Sequence, residues 1–324
     1  MELPLAFDSQ LFVQLTVNGL TLGSLYALIA LGYSLVYGIL KLLNFAHGDV
    51  YMIGAFVGYG VLVAFDGPLS PNIALVPLII LMFLVAMLVS GGLGVVIENF
   101  AYRPLRDAPR LAPLITALGV SFFLQNSALL LLGAEFRSYN SFVLGSDQPE
   151  FFEPGPLVDA VFVVNGVNVQ RIQLIVMVMT VVLMVLLTVL VARSKLGKAM
   201  RATAFDREAA AMMGINTDRV IAWTFFIGSV LAGAAGVMFG LLFSQVFHLM
   251  GFLAGLKGFT AAVVGGIGSI PGAMLGGLLV GLTEAYAAGY LGGRWSDLTV
   301  FAILIVVLLV RPTGLLGARA IQKV

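Results

Sequence analysis

The residues whose types and spacing could do chemistry are polar side chains set inside long apolar runs. Gln14, Asn18 and Thr21 share one helix face within about 60° of arc at 3.6 residues per turn. Polar groups at that depth are costly and usually face the bundle interior. These three either line a path for a zwitterion or bond neighbouring helices. The stretch 41–54, KLLNFAHGDVYMIG, packs Asn44, His47, Gly48 and Asp49 between two apolar runs, too close together for an ordinary aqueous loop. A helix broken there leaves backbone amides and carbonyls free to meet a solute. Alternatively, His47 and Asp49 pair near the interface and only fix the bend. Over 255–277, Lys257, Gly265, Gly266, Gly268, Pro271 and Gly272 interrupt another hydrophobic segment, and interrupted helices in two halves of a chain point to a transport site. Thr116, Asn126 and Ser127 share a face of a further run, with Ser121 and Gln125 roughly opposite; Thr116 and Asn126 join the candidate path. His248 reads as a satisfied structural donor.

That chemistry is the handling of a small solute without covalent steps. The chain has no cysteine, hence no disulfide, thiolate or cysteine metal site. Its two histidines lie 201 positions apart, and no nucleophiles, bases or metal ligands cluster, so neither an enzyme nor a cofactor or metal site is expected. No G-x-x-x-x-G-K-[ST] phosphate loop occurs; Gly197-Lys198 is followed by Ala199. An ion-coupled secondary transporter of an amino-acid-like solute, urea or an amide is the alternative reading. It would want a chain of buried carboxylates, whereas Glu98 and Glu284 read as span ends. A channel has only the glycine-rich segment 265–272 in its favour.

A second constellation lies in 193–219, RSKLGKAMRATAFDREAAAMMGINTDR. At helical spacing Phe205, Ala209 and Met212 form an apolar strip, with Ala202 beside it and Arg201, Asp206, Arg207 and Glu208 off it. This predicts one short amphipathic helix over 198–214 that lies in the interface or docks on a soluble partner.

The elements that must position these groups follow from composition. Of 324 residues, 60% are hydrophobic and 10% charged, against about 25% charged in soluble domains. The mean hydropathy of +1.06 agrees. The surplus must face lipid, and the net charge of +1 argues for neither nucleic acid nor an acidic partner. Charge-free runs at 9–40, 50–65, 67–97, 111–134, 172–192, 220–256, 258–283 and 298–310 place the helices, since roughly 20 apolar residues cross the hydrocarbon. The last is short and should begin near Trp295. The fold expected is all-α, a single polytopic transmembrane domain of 8–9 spans with interrupted helices. The N-terminus lacks a basic region and does not read as a cleavable signal.

Orientation follows lysine and arginine. The segment 102–110 has three arginines, 193–219 six basic residues and 311–324 three, whereas 134–171 has five acidic and two basic. The first three are placed in the cytoplasm and the last outside, as a cap or a docking site. With Glu2 and Asp8 outside, an odd count is needed, which favours nine spans with 220–283 crossing three times. Small residues at Gly19, Gly23, Ala27, at Gly228, Ala232, Gly236, Gly240 and at Gly268, Gly272, Gly276 predict close helix packing.

Three stretches carry a family resemblance: NGLTLGSLYALIALGYSLVYGILKLLNFAHGDVYMIGAFVGY (18–59), AYRPLRDAPRLAPLITALGVS (101–121) and GFTAAVVGGIGSIPGAMLGGLLVGL (258–282). They resemble the branched-chain amino acid ABC permeases of the LivH type, and the likeness spans nearly all of the chain except 134–171. Glu208-Ala209-Ala210 with Gly214 resembles the EAA loop that inserts into a groove on the ATPase subunit, although the isoleucine and Leu-Pro that usually follow are absent. The resemblance implies a bacterial inner-membrane importer subunit that is not itself an enzyme. It also implies two ABC ATPases, a second homologous permease and an extracytoplasmic solute-binding protein as partners. Arg201, Asp206, Glu208, Ala209, Ala210 and Gly214 would then form the ATPase-coupling element.

Overall fold

The computed structural model describes residues 9–66, 75–106, 108–109, 111–139, 160–164 and 167–317. Glu2, Asp8, Arg110, Arg319, Lys323 and the prolines at 149, 154 and 156 lie outside the described residues.

With no water to satisfy backbone groups in lipid, the apolar runs become helices. Among the described residues these are α1 (Ser9–Leu40), α2 (His47–Asp66), α3 (Leu75–Ile97), α4 (Leu111–Leu132), α5 (Arg171–Arg193), α6 (Lys195–Phe205), α7 (Arg207–Met212), α8 (Thr217–Phe243), α9 (Met250–Gly265), α10 (Ile270–Tyr290) and α11 (Ser296–Val310). A π turn, Glu98–Tyr102, and a 3-10 turn, Arg103–Leu105, extend α3, and Gly293–Trp295 leads into α11 where the aromatic signal placed it. Two short ribbons are the only strands described. β1 (Arg137–Ser138) pairs antiparallel with β4 (Gln245–Val246), and β2 (Ala160–Val164) with β3 (Val167–Gln170).

Among the described residues, eight helices are long and apolar enough to cross a membrane, and the fold is an all-α polytopic bundle. The 16-residue α9 falls short of that length, yet it joins the two ends of the bundle. Its start follows β4, which is tied to the end of α4. Its finish meets the C-terminal segment, where Leu315 and Leu316 donate backbone hydrogen bonds to Val264 and Gly265.

Lys257 corrects one boundary. The charge-free runs 220–256 and 258–283 put a break at this residue, but it lies mid-helix in α9. A lysine is held there because the buried Glu284 and the half-exposed Asp297 both pair with it, and pairing is the condition under which an intramembrane charge is tolerated. The true interruption is the turn 266–269, with Ser269 capping α10 through Gly272 N. Gly268 therefore sits in a turn rather than on the helical stripe expected of it.

Helix α1 is the hub, buried over 78% of its apolar window, with α8 at 72%; α11, at 6%, turns its apolar residues outward. Gly19, Gly23 and Ala27 press α1 against Leu282, Gly281 and Gly277 of α10. A Cβ on Gly281 would collide with the Gly23 backbone, so this helix pair approaches closely enough that glycine is required.

Candidate translocation and coupling site

Three polar constellations lie along the bundle. At the acidic-loop end a cavity of about 310 Å³ opens between α1, α5, α8 and α10, lined by Asn18, Thr21, Gln173 and Glu284 among leucines, alanines and Phe243. Gln14 does not line it. Its amide clamps the Asn168 backbone, accepting from N at 2.8 Å and donating to O at 3.1 Å, as a strand neighbour would. Gln14 and Gln173 also converge on Asn18 Oδ1, at 3.2 and 3.0 Å. Thr21 bonds back to its own helix at Val17 O. Gln173 is fixed as part of a capping box with Gln170 at the start of α5.

Glu284 is buried, not at a span end as its sequence position implied. Its Oε2 accepts from Tyr26 at 2.8 Å and its Oε1 pairs with Lys257 Nζ at 2.7 Å; the same ammonium reaches Asp297 Oδ1 at 2.6 Å. Glu98 is likewise buried. It stands at a span end, as its sequence position implied, and pairs with Arg106 eight residues on.

The second constellation sits at the α1–α2 break. Residues 41–46 are non-helical and carry the chain back along α1, so that His47 packs against Gly32 with its ring edge-on to Tyr33. His47 and Asp49 do not pair. Asp49 accepts from Gln125 Nε2 at 3.0 Å, and that amide also meets Ser121. Asp49 also lies against Gly251 in the first turn of α9. Asn44 accepts from the Tyr102 hydroxyl at 3.1 Å. His47 Nε2 is buried without a hydrogen bond of normal geometry, its electrostatic neighbour being the Ile29 backbone. His248 Nδ1 is also buried with no partner among the described residues, contrary to the satisfied donor expected. On α4 the polar face turned inward is Ser121 and Gln125. Asn126 is exposed and bonds Phe122 O, and Thr116 is half-buried.

The third constellation occupies the basic end. The single amphipathic helix expected over 198–214 is two helices. Asp206 is extended (φ −154°, ψ 113°), ends α6 and caps α7 by accepting from Glu208 N and Ala209 N. An aspartate that competes for backbone amides is a helix starter, which is why the strip breaks there. Helix α7 closes in a Schellman turn, with Ile215 N to Ala210 O, Gly214 N to Ala211 O and Gly214 at φ +83°. Ala210 is buried, Glu208 is exposed, and Phe205, Met212 and Met213 are each 82% exposed. Arg201 donates to the Val191 carbonyl and fastens α6 to α5. Beneath lies an ion network: Arg103 and Arg106 both pair with Asp218, Arg106 also with Glu98, and Arg207 of α7 approaches Asp218 at 3.8 Å.

A cavity of about 720 Å³ opens at the same end beside Tyr37, Lys41 and the 267–269 turn. Between the two cavities, residues 23–36 of α1 are buried without a break, so no open passage joins them along α1. Among the described residues no three His, Asp or Glu side chains converge to hold a metal ion.

A lipid-facing helical bundle with polar cavities at opposite ends and an exposed helix pair at one of them defines a multi-pass membrane transport protein. A sequence profile described as branched-chain amino acid transport system / permease component matches residues 15–308, and the chain belongs to that family. It is 44% identical over 314 residues to the high-affinity branched-chain amino acid transport system permease protein BraD of Pseudomonas aeruginosa, covering 97% of this chain and 98% of that one. It is 43% identical over 319 residues to LivH of Escherichia coli, at the same coverage of each. The probable LivH of Methanocaldococcus jannaschii is 26% identical over 303 residues, 91% of this chain and 89% of that one. No solved structure matches.

Proposed function

We propose that the chain is the membrane-spanning permease subunit of an ATP-driven importer for branched-chain amino acids in the bacterial inner membrane. Near-full-length identity of 43–44% to permeases named for high-affinity branched-chain amino acid transport is the observation that carries this reading. In it, two ABC ATPases bind the basic end, a second homologous permease completes the path, and an extracytoplasmic binding protein docks at the acidic-loop end.

The exposed α6–α7 pair supports the coupling role. Phe205, Met212 and Met213 offer flexible apolar knobs to a groove, and Arg207 and Asp218 tie that pair to the 98–106 turns. Closure of the ATPases on ATP would push α7, and the ion network would carry the displacement to Tyr102, Asn44 and the α1–α2 break. Asn18, Thr21, Asn44, His47 and Asp49 are the path residues in this reading; Thr116 and Asn126 stand on the outward side of α4 or between faces and have less support from the geometry.

A mild-detergent pull-down of the tagged chain from its native membrane, followed by mass spectrometry, tests the assembly. Recovery of ATPase subunits and a second permease is expected. A chain that comes down alone and transports in pure liposomes without ATP overturns it. Glu208→Lys is expected to abolish ATP-driven uptake in a subunit that remains folded.

A further inference from the structure

We propose that the cavity at the acidic-loop end is a receiving site for the α-ammonium group of an aliphatic amino acid, with Glu284 as its partner and Asp297 as the group that takes over Lys257. This deepens the permease reading above and rests on it.

The argument begins with a charge imbalance. Lys257 Nζ is shared between Glu284 Oε1 at 2.7 Å and Asp297 Oδ1 at 2.6 Å, so two carboxylates hold one ammonium. With all three groups ionised, the trio carries one excess negative charge. Lys257 and Glu284 are enclosed while Asp297 is half-exposed, and ionisable groups inside a membrane protein mark solute pathways. A cation arriving at Glu284 would balance the excess charge.

Geometry selects which carboxylate it meets. Glu284 lines the cavity, whereas Lys257 and the half-exposed Asp297 are not among its lining residues. The Tyr26 hydroxyl, at 2.8 Å from Oε2, fixes the carboxylate in place. When a solute ammonium takes Oε1, Lys257 is left on Asp297 rather than stranded, which is the use of the second acid. Thr21 and the amides of Asn18 and Gln173 are the remaining polar lining, and the amides suit a solute carboxylate. Leu22, Leu242 and Phe243 supply the apolar wall for its side chain. At about 310 Å³ the space lies at the small end of ligand pockets, which run roughly 300–1,000 Å³. An uncharged amide would gain nothing from the excess charge, and an anion would be repelled by it.

The test uses the assembled importer in proteoliposomes, with ATP inside and leucine-loaded binding protein outside, and reads uptake of radiolabelled leucine. Glu284→Gln is expected to lower uptake at least tenfold at saturating binding protein. The half-saturating concentration of binding protein and its stimulation of ATP hydrolysis should stay unchanged, and Glu284→Asp should recover part of the rate. Asp297→Asn, which holds Lys257 on Glu284, should lower uptake several-fold from outside the cavity. Wild-type uptake in Glu284→Gln overturns the site. Should that variant not assemble, Ala288→Trp fills the cavity while leaving all three ionic side chains in place, and undiminished uptake in it overturns the site equally. Leucine uptake by the wild-type vesicles tests the permease reading separately. Vesicles that carry an uncharged amide and not leucine would sink both.

Discussion

At the scale of single residues, the buried ions are the sharpest features. Arg106 and Glu98 pair with their side chains almost wholly enclosed, and Arg106 also reaches Asp218. Removing one partner of such a pair leaves an uncompensated charge and costs about 3–5 kcal/mol, whereas replacing both with apolar groups of similar volume is near neutral. Arg106→Leu is therefore expected to depress the thermal unfolding midpoint of the detergent-solubilised chain, with much of the loss recovered in the Arg106→Leu/Glu98→Leu double variant. A double variant no better than the single would mean that the bond from Arg106 to Asp218 matters more. Gly214 gives a second residue-scale prediction. It holds φ +83° at the end of α7, a conformation that asparagine tolerates and valine does not. Gly214→Val should reduce recovery of ATPase subunits in the pull-down, and Gly214→Asn should largely keep it.

At the scale of elements, the closest helix pair is α1 with α10. Without a hydrophobic drive between helices in lipid, packing of small residues must do that work. Gly281→Leu is expected to abolish the monodisperse peak of the solubilised protein in size-exclusion chromatography, because its side chain would enter the α1 backbone at Gly23. Gly119→Leu, on α4 where nothing lies within 4 Å of an added Cβ, should leave that peak intact. The same pair bears on transport. Residues 23–36 of α1 seal the space between the two cavities, so any passage must come from movement of α1 against its neighbours or from a surface completed by another chain.

At the scale of the whole molecule, the prediction is orientation. The absence of cysteine makes the chain a ready background for single-cysteine labelling. On intact cells a membrane-impermeant maleimide should label Val163→Cys, in the β2–β3 ribbon, and not Ala211→Cys, in α7, until the membrane is permeabilised. Labelling of Ala211→Cys on intact cells would invert the arrangement and remove α7 from the reach of cytoplasmic ATPases.

What the sequence determined by itself was whatever depends on local composition. Apolar runs near membrane thickness fixed the helices, because backbone in lipid must satisfy itself within each segment. The basic and acidic loops separated the two ends, and small residues at every fourth position of α1 announced a close helix contact, though not that α10 makes it through Gly277 and Gly281. The motifs of 18–59, 101–121 and 258–282 were enough to indicate the family. Tertiary structure decided which polar groups meet. Lys257 looked like a boundary because a charge in a run reads as an end, and only the convergence of α9, α10 and α11 revealed two carboxylates waiting for it. Glu284 and Gln173 entered the cavity, Gln14 turned to the β3 backbone and Asn126 to the outside, since a helical face is defined by its neighbours and not by its own period. The break between α6 and α7 was local in cause, an aspartate taking two backbone amides, yet the periodic strip of apolar residues across it concealed the signal. Long-range pairing of charges and the choice of buried face have no trace in spacing, because both depend on which helices stand beside which.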